Sequence, residues 1–62
     1  MFEKEILDFG FIESIHKTSY VLEFKDVSFY YILSGNNIYY ECWTKQFGQR
    51  NLSRQNFIEY II

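Results

Sequence analysis

The stretch Ser28-Phe29-Tyr30-Tyr31-Ile32-Leu33-Ser34-Gly35-Asn36-Asn37-Ile38-Tyr39-Tyr40-Glu41-Cys42-Trp43-Thr44-Lys45 decides the fold. Two runs rich in β-branched and aromatic residues flank Ser34-Gly35-Asn36-Asn37, and Gly-Asn is a strong short-hairpin signal because both residues tolerate positive φ. A two-residue turn at Gly35-Asn36 and a four-residue loop set the same register, with Leu33 opposite Ile38, Tyr31 opposite Tyr40 and Phe29 opposite Cys42. Side chains alternate across a strand. One face of the hairpin therefore carries Phe29, Tyr31, Leu33, Ile38, Tyr40 and Cys42. The other carries Tyr30, Ile32, Tyr39 and Trp43, with Tyr30 opposite Glu41 and Ser28 opposite Trp43.

Towards the N-terminus, Tyr20-Val21-Leu22-Glu23-Phe24-Lys25 alternates cleanly and reads as a half-buried strand with Tyr20, Leu22 and Phe24 on one face. Phe9 to Lys17 is also strand-like in composition. A turn near Lys17-Thr18-Ser19 joins the two as a hairpin. Its register stays open: one choice groups Glu13 with the apolar set, the other groups Ser14 and His16 with it. Residues 2 to 8 read as a short helical turn with Phe2, Ile6 and Phe9 near one side, or as a strand.

Towards the C-terminus the alternation breaks at Gln46-Phe47-Gly48-Gln49, which reads as a loop. A helix is expected after Ser53, which is placed as its N-cap, with Leu52 stapled to Phe57 across the first turn. Phe57, Ile58, Ile61 and Ile62 form its apolar stripe. A helix of this length is marginal alone and must dock on the sheet. The expected fold is α+β: one domain over residues 1–62, an antiparallel sheet of three or four strands built from hairpins, and a C-terminal helix on one face.

A short helix covers one face of such a sheet. Two readings of the other face follow. Either the N-terminal segment folds across Tyr30, Ile32, Tyr39 and Trp43 as a second core layer, or this face stays open as a partner-binding or dimer surface. Exposed tyrosine and tryptophan clusters have the composition of interaction hot spots.

Composition bounds the remaining possibilities. At 62 residues, 48% hydrophobic and 23% aromatic, without proline, the chain is too apolar to be disordered. So small a domain buries only about 60% of its unfolded surface, and oligomerisation is a common remedy. That argues for a homodimer. One cysteine and one histidine exclude an intramolecular disulfide and leave no self-contained zinc site, so no metal and no cofactor are expected. Cys42 reads as a small buried hydrophobe and His16 as a turn residue. Glu13, Glu23 and Glu41 read as solubility charges rather than paired catalytic carboxylates, and no phosphate-binding, dinucleotide or zinc-protease motif occurs. The chain is not expected to be an enzyme.

Lys45, Phe47, Arg50 and Arg54 form the alternative site. Cations interleaved with an aromatic ring suit single-stranded nucleic acid, for phosphates and for base stacking. The rest of the chain opposes this, because the protein as a whole carries a net charge of −2. Residues 1–31 sum to −3 and residues 32–62 to +1, a mild dipole suited to a basic patch on a larger protein.

Phe, Tyr, Ile, Asn and Lys make up 29 of the 62 residues, and Ala, Gly, Pro and Arg only five. That bias points to AT-rich coding, as in a low-GC bacterium or its phage. The opening residues carry acidic charge and no apolar stretch of signal-peptide length, and no run approaches the roughly 20 apolar residues of a membrane span. A cytoplasmic location is expected, in the host cytoplasm if the chain is phage-encoded. The expected function is a small non-enzymatic inhibitor that occupies a surface of a host enzyme or anti-phage defence protein. A single-stranded nucleic-acid accessory protein is the alternative.

Overall fold

The computed structural model describes residues 3–15 and 18–62. It contains a short helix α1 (Lys4–Leu7), strands β1 (Ile12–Glu13), β2 (Ser19–Glu23), β3 (Val27–Ser34), β4 (Asn37–Thr44) and β5 (Gly48–Leu52), and helix α2 (Arg54–Ile61). The strands form one antiparallel sheet in sequence order, β1-β2-β3-β4-β5. The class is α+β as expected, but the sheet has five strands rather than three or four.

The central hairpin has the expected register: Phe29 pairs with Cys42, Tyr31 with Tyr40 and Leu33 with Ile38. Ser34 pairs with Asn37, so the loop is the two-residue form, with Gly35 at φ 62°. A left-handed residue there matches the turn twist to the strands, which is why glycine suits the position. Between β1 and β2, Glu13 pairs with Tyr20 and Ile12 with Val21. Glu13 thus falls on the Tyr20 side of the sheet, which settles the open register. His16 and Lys17, at the hairpin tip, lie outside the described residues, as does Phe2.

The fifth strand is the main departure from the sequence reading. The segment expected to be a basic loop turns at 45–47 and returns along β4, pairing Gly48 with Thr44, Arg50 with Cys42 and Leu52 with Tyr40. Gly48, at φ 73°, closes the turn, and the Phe47 N–H donates to Thr44 Oγ1 at 3.0 Å. Backbone pairing holds this strand without an apolar pattern. Polar side chains suit β5 because it is an edge strand, with no strand on its far side among the described residues.

On the inner face, Phe29, Tyr31 and Cys42 are buried with Ile6 of α1 and Phe57 of α2. Phe57 is the hub: its ring centroid lies 5.2 Å from Tyr40, 5.8 Å from Phe11, 6.0 Å from Phe29 and 6.4 Å from Tyr31. Such tilted and edge-on ring pairs add to the area they bury. Ser53 caps α2 as expected, its Oγ accepting the Asn56 N–H at 3.1 Å. Among the described residues, no helix is long and apolar enough to cross a membrane.

Residues 4–7 are helical, resolving that open choice, and Ile6 enters the inner-face core. The reading in which the N-terminal segment covers the opposite face is therefore corrected. Ile6 finds its apolar partners beside Phe57, so both helices share one face of the sheet.

Candidate functional site

Every second strand residue contributes to the outer face. Val21 on β2 stands opposite Tyr30 on β3, which stands opposite Glu41 on β4. One step along, Ile32 pairs with Tyr39; in the other direction, Ser28 pairs with both Glu23 and Trp43. The four expected residues Tyr30, Ile32, Tyr39 and Trp43 are thereby brought together on β3 and β4. Tyr39 keeps 48% of its surface exposed and Trp43 38%, while Tyr30 and Ile32 are half-buried between their neighbours.

The sheet extends this patch beyond those four. Val21 joins it through Tyr30, and Ile12, 70% exposed, joins it through Val21. The period-2 pattern of β2 already implied Val21, since Tyr20 and Leu22 point the other way. Ile12 was not readable until the β1–β2 register was known.

The charged residues at described outer-face strand positions are Glu23 and Glu41, both acidic. Gln49 of β5, opposite Trp43, donates its side-chain N–H to Glu41 Oε1 and holds that carboxylate against the sheet. The surface is thus an apolar and aromatic centre with carboxylates beside it.

The alternative basic site is not assembled as expected. Lys45, Phe47 and Arg50 line an open depression of about 670 Å³ with Asp26, Val27 and Thr44. Val27 and Thr44 occupy inner-face positions, so this depression lies on the opposite side of the sheet from Trp43. A strand of bases stacked on Phe47 would not reach the Trp43 ring. Arg54 is occupied elsewhere: its Nε and Nη2 both donate to Glu3 Oε1. Among the described residues, the patch keeps two cations without a carboxylate partner, not three, and has Asp26 on its rim.

The Glu3 contact belongs to a network that ties the two ends of the chain to the core. Buried tyrosines need partners for their hydroxyls. Tyr31 accepts the Glu3 backbone N–H at 2.9 Å and donates to Glu3 Oε2 at 3.3 Å, and Tyr40 donates to the same oxygen at 3.1 Å. The Arg54 hydrogen bond is the chief reason the Glu3 carboxyl titrates below its ordinary value. Burial, followed by its bond to Glu3, pushes the Tyr40 hydroxyl up to about 12. The arrangement matches donors to acceptors and links Glu3, Tyr31, Tyr40 and Arg54.

Cys42 is buried at an inner-face position, where it fills space beside Phe29. Among the described residues, no cluster of three potential metal ligands occurs. No protein-family model matches this chain, and neither does any curated protein or solved structure.

Proposed function

We propose that this chain is a non-enzymatic binding module that acts by occupying a surface of another protein with its outer sheet face. The observation that carries the proposal is the placement of both helices on the inner face, which leaves Tyr30, Ile32, Tyr39 and Trp43 with no helix over them among the described residues, Tyr39 and Trp43 being the exposed pair. Aromatic side chains in a contiguous patch supply large contact area at low conformational cost, and they dominate interface energetics.

Charge selects the occupant. A second copy seated face to face would set one face whose charged strand residues are Glu23 and Glu41 against another of the same sign, and like charges across an interface are unfavourable. A different protein, with cationic groups around an apolar patch, matches both the rings and the carboxylates. The small size and AT-rich coding bias favour a phage-encoded inhibitor of a host enzyme or defence protein as the specific case. The homodimer expectation, argued from small size and from this same face as a dimer surface, is an outcome to be separated by experiment. A single-stranded nucleic-acid site would have to work with Lys45, Arg50 and Phe47 only.

The test is affinity capture from a low-GC bacterial lysate, followed by binding of the purified captured protein. Wild type is compared with Tyr39→Ala/Trp43→Ala and with Glu23→Lys/Glu41→Lys, each first shown to be folded. The proposal expects both variants to lose the partner and the purified complex to protect outer-face amides from exchange. Retention by the aromatic variant refutes it. So does a concentration-dependent dimer that buries the same face.

A further inference from the structure

We propose that the free edge of β5 is a strand-addition site for an extended acidic segment of a partner protein. A carboxylate of that segment stands opposite Arg50, and an apolar side chain stands opposite Gly48. This site is separate from the outer face and does not depend on it.

The sheet has two ends. At one, β1 contributes two residues, too few to template a ladder; at the other, β5 contributes five and has no strand on its far side among the described residues. An unpaired strand of that length presents a row of backbone donors and acceptors, the means by which sheets take up extended peptides.

The inner face next to this edge is incompletely covered. Helix α2 has eight residues and spans about 12 Å, whereas an eight-residue strand such as β4 spans about 26 Å. The uncovered end of the sheet forms the 670 Å³ depression and a smaller neighbour of about 270 Å³, which share Val27, Thr44 and Arg50. Gly48 faces the same side, and a side chain built there would meet nothing within 4 Å. Its missing side chain leaves the depression open to the edge. A residue paired opposite Gly48 on an added strand would lean across it towards Thr44 and Val27.

Charge completes the selection. Arg54 is satisfied by Glu3, but Lys45 and Arg50 have no carboxylate partner among the described residues. Asp26, on the Val27 side of the depression, is the acid lining it. The Arg50 guanidinium rests over the Phe47 ring, 5.7 Å from its centroid, which orients it while leaving its donors available. A residue directly opposite Arg50 on an added strand shares its face, so an acid there makes a charge-assisted contact. Self-pairing of β5 about Arg50 would instead place guanidinium opposite guanidinium. In the antiparallel sense of this sheet, the matching segment reads acid, any residue, apolar residue.

The probe is a capped pentapeptide of sequence TTETL, titrated to about 1 mM, a concentration suited to a weak single-strand contact. Amide chemical shifts of the ¹⁵N-labelled protein report where it binds. Shifts concentrated in residues 48–52 are expected. The lysine analogue TTKTL should bind roughly tenfold more weakly, the loss of one charge-assisted contact, and N-methylation of the ladder-forming amides should abolish binding. Arg50→Glu, checked for folding by the same spectrum, should reverse the preference in favour of TTKTL. The proposal is overturned by the absence of β5 shifts, by equal binding of the two peptides, or by shifts confined to the outer face. Concentration-dependent β5 broadening without peptide also overturns it, because the occupant is then a second copy.

Discussion

Replacing Glu3 with alanine tests how the two ends of the chain are held, and its cost can be worked from the geometry. Tyr31 is fully buried, and its hydroxyl both accepts from the Glu3 backbone and donates to the Glu3 carboxylate. Truncation leaves the backbone donor in place but removes the carboxylate that accepts from the Tyr31 and Tyr40 hydroxyls. That costs about 1–3 kcal/mol. Tyr40 is half-buried and can turn its hydroxyl to water, and the Arg54 ion pair is largely solvent-exposed and adds little. The total is expected within that same range. A domain of this size has roughly 3–9 kcal/mol of stability in all, and each kcal/mol lowers the melting midpoint by about 4–8 °C.

The same variant makes a pH prediction. The Glu3 carboxyl titrates below its ordinary value of 4.5, chiefly through Arg54, so its ionised form is favoured by folding. Its contribution is therefore present above the unfolded value and is lost as pH falls from about 4.5 through the lower folded value. Denaturant midpoints measured across that window should fall more steeply for wild type than for Glu3→Gln. Parallel pH profiles, or a Glu3→Ala midpoint within error of wild type at neutral pH, would refute the network as a stabilising element.

Three further outcomes follow from the structure. Ser53→Ala should cost about 0.5–2 kcal/mol through the lost Asn56 N–H bond, read as a shifted denaturant midpoint. Tyr40, raised to about 12, contributes stability below the ordinary tyrosine value of 10 that is lost as pH rises through 12, so Tyr40→Phe should unfold less steeply there. The Cys42 thiol should react with a disulfide reagent only at the rate of opening, and the reaction should become fast in denaturant.

The parts legible in the sequence were those whose pattern and turn chemistry agree. Gly35-Asn36 and the alternation on either side fix one register, and the structure adopts it residue for residue. Ser53 ahead of an apolar stripe likewise marks the helix it caps. Strand β5 was hidden because Gly48-Gln49-Arg50-Asn51 shows no apolar alternation. One signal was present: a glycine after a three-residue turn, the position at which hairpins take a left-handed residue. Arg54 was grouped with Lys45 and Arg50 by proximity in sequence, yet its partner is Glu3, 51 positions away. Ile6 gave no sign of which face it would join, because two adjacent apolar residues, Ile6 and Leu7, in a four-residue helix fit either side. That placement determined whether the outer face was left open.

The most direct test of the central claim uses the single tryptophan, Trp43, which stands on that face. Acrylamide, a neutral quencher, would be titrated against the free protein over a wide concentration range and then against its complex with the captured partner. The outer-face account predicts a quenchable Trp43 at every concentration of free protein and a shielded one in the complex. A Trp43 shielded in the free monomer, or equally quenchable in the complex, would contradict it.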